Sequence, residues 1–173
     1  QYFYQAVNWL VCHSIISGYP DNTFRPFNMA TRAQIMKMVV LGNGWPLYEP
    51  PQPTFSDVVP GEWSYGYVET GVLHNVIGGY DDGTFRPANN VTRGQLSKII
   101  VLSRSWPLLD PSMPSFTDVL PGSTFYTYIE TAKWHAIVSG YGDGTFRPAD
   151  PALRGQLSKM LYIALTQGLR REK

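Results

Sequence analysis

The sequence predicts a mainly α fold in which one helix-loop-helix unit is used three times, and three observations carry that prediction. The first is a repeated cassette. GYPDNTFRPFNMATRAQIMKMVV begins at Gly18, GYDDGTFRPANNVTRGQLSKIIV at Gly79 and GYGDGTFRPADPALRGQLSKMLY at Gly140, so the period is 79 − 18 = 140 − 79 = 61 residues, with no insertion or deletion. The second is helical periodicity, since apolar residues recur at i, i+3 and i+7 before each loop and at i, i+3 and i+4 after it. The third is size: 173 residues suffice for one buried core, whereas a unit of 61 is marginal alone. Repeats of this kind bury their apolar faces against their neighbours. Residues 1–173 are therefore expected to form one pseudo-threefold domain, with repeats at 1–47, 48–108 and 109–173.

The first helix of each unit follows from Tyr4, Tyr65 and Tyr126, then Val7, Val68 and Ile129, then Val11 and Val72, which draw one stripe. Lys133 interrupts it in the third unit, where Ala132 and Trp134 are expected to cover the face. Gly18, Gly78 or Gly79, and Gly140 are expected to close these helices, because glycine adopts the left-handed conformation cheaply. In the loop, Asp82-Gly83-Thr84 and Asp143-Gly144-Thr145 combine an amide-capping carboxylate with a residue free to take positive φ. Asn22 replaces that glycine in the first unit, and asparagine is the side chain that best tolerates the same conformation. Phe24, Phe85 and Phe146 should then pack inward, and Pro26, Pro87 and Pro148 hold the next segment extended.

The second helix opens with a capping box at Thr31 and Gln34 and at Thr92 and Gln95. In the third unit Leu153 replaces the threonine, and Asp150-Pro151 is expected to start the helix three residues earlier. The core is expected at Ile35, Met38 and Val39; Leu96, Ile99 and Ile100; and Leu157, Met160 and Leu161. Proline-rich connectors at 42–53 and 103–114 lead into Phe55-Ser56-Asp57-Val58 and Phe116-Thr117-Asp118-Val119. The period would put the first such phenylalanine ahead of residue 1, so a further segment is expected upstream.

Composition narrows the function. Hydrophobic residues make up 43%, aromatics 14% and charged residues 16%, which excludes a disordered chain. A net charge of 14 − 13 = +1, with the one basic cluster at Arg170, Arg171 and Lys173, disfavours nucleic acid as a partner. Apolar runs such as 99–102 are too short for membrane insertion. Cys12 stands alone, which excludes a disulfide framework or thiolate metal site, and its counterparts Leu73 and Trp134 make it read as a small buried apolar residue.

Taken together, Phe55-Ser56-Asp57-Val58, the Trp63 region, GYDDGTFRP and Thr92-Arg93-Gly94-Gln95 make the chain resemble three S-layer homology repeats over almost its whole length. The resemblance implies a three-pronged domain around a central helical bundle, displayed outside prokaryotic cells at the cell surface or wall. It implies a non-catalytic module, without cofactor or metal, that anchors a surface protein on anionic, often pyruvylated, cell-wall polysaccharide in grooves between repeats. It also implies ligand-binding residues. The arginine of the family's Thr-Arg-x-Glu maps onto Arg32, Arg93 and Arg154, the loop aspartate onto Asp21, Asp82 and Asp143, and the helix-entry tryptophan onto Trp63 alone, with Tyr2 and Thr124 in the other units. Gln34, Gln95 and Gln156 stand where the family has glutamate, a threefold change that implies either a ligand of different charge or a differently wired groove.

The residues support part of this unaided. An arginine in the first turn of a helix opposes the amide dipoles, which favour negative charge there by about 0.3–1 kcal/mol. Three such arginines call for an anion: a nearby loop carboxylate, or an external carboxylate or phosphate of the kind helix N-termini attract. His13, His74 and His135 share one position but read as structural, because nothing makes them converge as metal ligands. The aspartate loop lacks the alternating oxygens and terminal glutamate of a calcium site and reads as a turn. Glu69 and Glu130 could form a carboxylate pair, yet their counterpart is Asn8, so they read as helix-surface charges. Tyr19, Tyr80 and Tyr141 suit either sugar stacking or loop packing. The competing function is structural: a subunit of an extracellular S-layer, lattice or filament in which the same surfaces meet other copies of the chain.

Overall fold

Three short extended segments, each just ahead of a repeat's second helix, close into a ring. Ala30 N–H donates to the Ala152 carbonyl at 2.9 Å, Ala152 N–H to Val91 at 2.8 Å, and Val91 N–H back to Ala30 at 2.9 Å. All three side chains are fully buried, so small or β-branched residues are required where the segments meet. The computed structural model describes residues 2–167 and carries six helices: α1 (Tyr4–Cys12), α2 (Arg32–Asn43), α3 (Tyr65–Leu73), α4 (Arg93–Ser103), α5 (Tyr126–Trp134) and α6 (Arg154–Thr166). Among the described residues β structure is confined to isolated bridges at the ring. The basic cluster at Arg170, Arg171 and Lys173 lies outside them.

From the ring, α2, α4 and α6 run on as a central bundle in mutual contact, as the family resemblance implies. The outer helix of each repeat packs on the central helix of the repeat before it, α3 on α2, α5 on α4, and α1 on α6 to complete the cycle. All nine core residues expected on the central helices are buried, from Ile35 at 0% to Met38 at 7% exposure. At the crossings, side-chain sizes compensate. A Cβ on Gly94 would lie 2.5 Å from the Phe125 ring, and one on Gly155 would lie 2.9 Å from Phe3. In the remaining unit Ser64 takes the aromatic position and Ala33 the glycine position. Gly94→Ala should therefore force Phe125 off its seat and destabilise the fold by about 1–3 kcal/mol. Urea melts would show this as a lower midpoint at constant slope.

Several elements end differently from the sequence expectation. The outer helices are closed by Ser14, Asn75 and Ala136, with φ of 57°, 56° and 53°, and not by glycine. Ile15 N–H donates to Leu10, Val76 to Gly71 and Ile137 to Ala132, the six-to-one bonds of a Schellman closure, with the apolar C″ residue buried in each case. Gly79 and Gly140 serve close approach: a Cβ there would lie 2.4 and 2.5 Å from the rings of Phe55 and Phe116. α6 starts at Arg154 and not at Pro151, because the Asp150 carbonyl is taken by Arg93 N–H and residues 151 and 153 bridge to Thr92 and Met29. Gln156 Oε1 still accepts the Leu153 N–H, so half of the capping box persists without a threonine.

The outer stripe holds in two units and fails in the first. Tyr65 and Tyr126 are buried beneath the connector ahead of them, each donating its hydroxyl to a carbonyl there, Pro50 and Pro111. Tyr4 and Val11 are exposed. Cys12 is also exposed, as are its counterparts Leu73 and Trp134, so the buried reading of Cys12 is overturned and Ala132 alone covers the face beside Lys133. Glu69 and Glu130 are not surface charges but are 1% and 4% exposed. Glu69 accepts Thr54 N–H at 2.8 Å and Thr54 Oγ1–H at 2.6 Å, and Glu130 accepts the same pair from Ser115.

Candidate functional site

The site is built from the arginine at the start of each central helix. Its backbone is already engaged: Arg32 N–H donates to Asn89 and Ala33 N–H to Pro87, while Thr31 Oγ1 accepts Gln34 N–H. Equivalent bonds to the neighbouring repeat recur at Arg93 and Arg154. Free helix-terminal amides are therefore not what an external anion would meet here, contrary to that part of the sequence argument. Nor does the loop aspartate compensate the arginine. Arg32 Nε donates to the Phe85 carbonyl at 2.7 Å and Arg93 Nε to Phe146 at 2.8 Å, in each case 53 residues on in the next repeat. Arg154 Nε closes the cycle to Phe24 at 3.2 Å.

Each guanidinium also lies over two aromatic rings, with Arg32 4.3 Å from Phe85 and 5.1 Å from Tyr80. Arg93 repeats this on Phe146 and Tyr141, and Arg154 on Phe24 and Tyr19. Burial pushes all three guanidinium pKa values below their ordinary level, although arginine stays charged. The result is a partly desolvated cation whose partners are neutral carbonyls and ring faces. Its charge is oriented by neutral partners and is offset only from a distance, by Asp57 at Arg32 and by Asp150 and Asp118 at Arg93.

The loop aspartates are placed elsewhere. Asp21, Asp82 and Asp143 pair with Arg25, Arg86 and Arg147 four residues on, at 2.7, 2.7 and 2.8 Å, on the exposed outer rim. These second arginines have φ of 54°, 59° and 60°, left-handed conformations unusual for a long side chain. In the second and third units a further carboxylate fixes them: Asp57 accepts Phe85 N–H at 2.7 Å and Arg86 N–H at 2.8 Å, and Asp118 does the same for Phe146 and Arg147. Asp82 Oδ1 also accepts Thr84 N–H and hydroxyl, the turn chemistry expected of it.

Those hydrogen bonds, from the Thr84 hydroxyl first and then from Arg86, lower the Asp82 carboxyl from 3.8 to about 2. Thr23 and Arg25 likewise bring Asp21 to about 2. A carboxylate depressed by folding contributes stability that is complete above its unfolded value and is lost as the pH falls through its folded one. The first and second rim turns should thus stay intact at pH 4 and weaken as the pH falls from there through about 2, with the third holding to lower pH. Thr84 amide exchange followed by NMR would report this, and the step should be missing in Asp82→Asn.

Three grooves flank the central arginines, with volumes of about 260, 250 and 200 Å³. Each draws on all three repeats. The first holds Tyr19, Gln34 and Lys37 of its own repeat, Trp63 of the next and Arg154 of the preceding one. The second places Arg93 with Tyr141, Gln156, Lys159 and Tyr2, and the third Arg32 with Tyr80, Gln95, Lys98 and Phe125. The structure thus brings together Arg32, Arg93, Arg154, Gln34, Gln95, Gln156 and Trp63, and leaves Asp21, Asp82 and Asp143 outside. Among the described residues no Asp or Glu lines any of the three grooves.

Lys37, Lys98 and Lys159 were missed by the sequence reading. Their signal was present: Gln-x-x-Lys puts the two side chains on one helix face, and the lysines recur at the period of 61. The shared histidines each stack on a tryptophan ring. His74 and His135 stack on Trp45 and Trp106 with ring centroids 3.8 Å apart, and His13 stacks on Trp9 at the same distance. The described residues contain no cluster of three or more His, Cys, Asp or Glu side chains able to hold a metal ion.

The chain is 27% identical over 165 residues to Cell surface glycoprotein 1 of Acetivibrio thermocellus, covering 88% of this chain and 7% of that protein. It is 30% identical over 122 residues to the Cellulosome-anchoring protein of the same organism, covering 66% of this chain and 26% of the relative. With S-layer protein EA1 of Bacillus anthracis it shares 28% identity over 113 residues, 64% of this chain and 13% of that one. The chain thus spans about a quarter or less of the length of these relatives. Residues 1–36, 54–97 and 115–158 match the S-layer homology domain, and with three tandem copies the chain belongs to that family, one of the prokaryotic cell surface.

Proposed function

We propose that the three grooves bind an anionic cell-wall polysaccharide without catalysis and that the chain thereby anchors a larger protein to the cell surface. One observation carries this reading: every groove pairs an oriented arginine with a lysine, adds a glutamine and an aromatic or tyrosine wall, and is lined by no carboxylate among the described residues. Two cations at the edge of an apolar cleft favour an acidic sugar substituent, and the ring faces suit its pyranose. Glutamine in place of the family glutamate removes a negative charge from each groove, which favours an anion further. The anchoring and S-layer relatives support a role in attachment.

The test is co-sedimentation with purified wall polysaccharide from the producing cell. Wild-type protein should pellet with it, progressively less as salt rises, because the contacts are charge pairs at the rim of open grooves. Undiminished pelleting of the triple variant Lys37→Gln, Lys98→Gln, Lys159→Gln would refute the proposal.

A further inference from the structure

The three crossings of outer helix on central helix are not built alike. Where α3 crosses α2, the outer helix supplies Tyr67, and the Lys37 ammonium lies 5.9 Å from its ring. Where α5 crosses α4, Tyr128 does the same for Lys98 at 5.6 Å. On α1 the position of these tyrosines is held by Ala6. The central helix has changed in the opposite sense: Val40 of α2 and Val101 of α4, both fully buried, correspond to a half-buried Tyr162 on α6. At the α1–α6 crossing a ring has thus moved from the outer helix to the central one, where Tyr162 meets Trp9 edge to face with centroids 5.5 Å apart.

This exchange is accompanied by a recess of about 330 Å³ between α1 and α6, lined by Ala6, Gln5, Tyr162 and Thr166 among others. Tyr2 and Lys159 also line it, and the same two residues line the groove of Arg93, so the two spaces adjoin there. With no tyrosine at position 6 to lie against, the Lys159 ammonium sits 5.5 Å from the Tyr2 ring instead. At the other crossings a tyrosine stands beside the groove lysine; here the space continues past it. Together, 250 and 330 Å³ fall within the range of about 300–1,000 Å³ in which ligand sites enclose most of a small molecule.

The recess differs chemically from the groove. Lys159, at the join, is the only charged residue among the described ones that line it. Further in, the Tyr162 hydroxyl accepts Gln5 Nε2–H at 3.3 Å, and the Thr166 hydroxyl is turned back onto the Tyr162 carbonyl at 2.9 Å. The Tyr162 O–H and the Gln5 side-chain carbonyl have no partner among the described residues. Neutral donors and acceptors beside a ring face suit the hydroxyls of an uncharged sugar and offer no counter-charge to an acidic one.

We infer that the groove of Arg93 and this recess form one cleft that takes two adjoining units of the polysaccharide, the acidic one at Arg93 and Lys159 and an uncharged one against Tyr162 and Gln5. The inference rests on the reading of the grooves as sites for an acidic glycan, and it makes this groove the one that also reads the neighbour of the acidic unit.

The test uses the full chain carrying Lys37→Gln and Lys98→Gln, which leaves the Arg93 groove intact. Its probes are two fragments from partial hydrolysis of the wall polysaccharide: the acidic unit alone, and the acidic unit with its uncharged neighbour. Both should shift the Lys159 side-chain resonances. Only the longer one should shift the Ala6 methyl and Tyr162 ring resonances, and it should bind roughly tenfold more tightly. Ala6→Tyr combined with Tyr162→Val, the pairing at the other two crossings, should keep the binding of the short fragment and cancel that gain. Tyr162→Phe, which preserves the ring and its packing, should lower affinity for the longer fragment alone, by roughly 2- to 10-fold. Equal affinity for the two fragments would overturn the inference and leave the anionic reading standing, whereas failure of both to reach Lys159 would remove the two together. Contacts in the ligand-free chain between the Tyr162 ring and residues beyond Gln167 would also overturn it, since the chain would then fill the recess itself.

Discussion

The triple variant Lys37→Gln, Lys98→Gln, Lys159→Gln is expected to lose polysaccharide binding by roughly 100-fold or more while keeping a cooperative melt only slightly below that of the wild type. A hydrogen bond to a charged group contributes about 1.5–3 kcal/mol, which is about 10- to 100-fold per groove. Replacing all three lysines stops an intact groove from compensating for a damaged one, as multivalent attachment would otherwise allow. Stability should change little, because the lysines lie half-exposed on the groove side of α2, α4 and α6 and touch their neighbours only through the ring faces of Tyr67, Tyr128 and Tyr2, contacts worth about 0.5–1 kcal/mol each at exposed sites. Arg93→Ala provides the contrast. It removes a groove cation and also deprives the buried Phe146 carbonyl of its donor, so binding and melting temperature should fall together. Paired co-sedimentation and thermal melts separate the two cases.

Glu69→Ala should destabilise the protein by about 2–4 kcal/mol, the cost of a cavity plus two lost hydrogen bonds to a buried carboxylate. For a chain of this size that is a drop of roughly 5–15 °C in melting temperature. Its side chain ties Thr54 to α3 and so holds the connector over Tyr65 and the rim loop. Asn8 occupies the same position in the first repeat, exposed, and Asn8→Ala should change the melting temperature little. Equal and small effects at both positions, measured by circular dichroism, would count against the strapping role of the buried glutamate.

The helices, the capping boxes and the nine central core residues were legible in the sequence because they depend on local spacing, and three copies at a fixed period let each unit check the others. Most of the groove set was legible too, from the arginines, the glutamines and Trp63. What the sequence misassigned was partnership. Asp82 was offered to Arg93 or its equivalents, yet a left-handed Arg86 four residues away holds it; Glu69 and Glu130 looked solvated because the segment that covers them lies 15 residues earlier. Closing the outer helices with Ser14, Asn75 and Ala136 was equally hidden, since their positive φ is imposed by the buried residue that follows.

The sequence by itself determined a threefold helical protein with one arginine, one glutamine and one lysine repeated at the head of each central helix. Only the tertiary structure decided that these residues meet across repeats. Each groove borrows its arginine from one neighbour and its aromatic wall from the other, because cyclic packing of the outer helices and the ring at Ala30, Val91 and Ala152 brings residues far apart in the chain side by side. Periodicity records which face of a helix is buried. It does not record what that face is buried against.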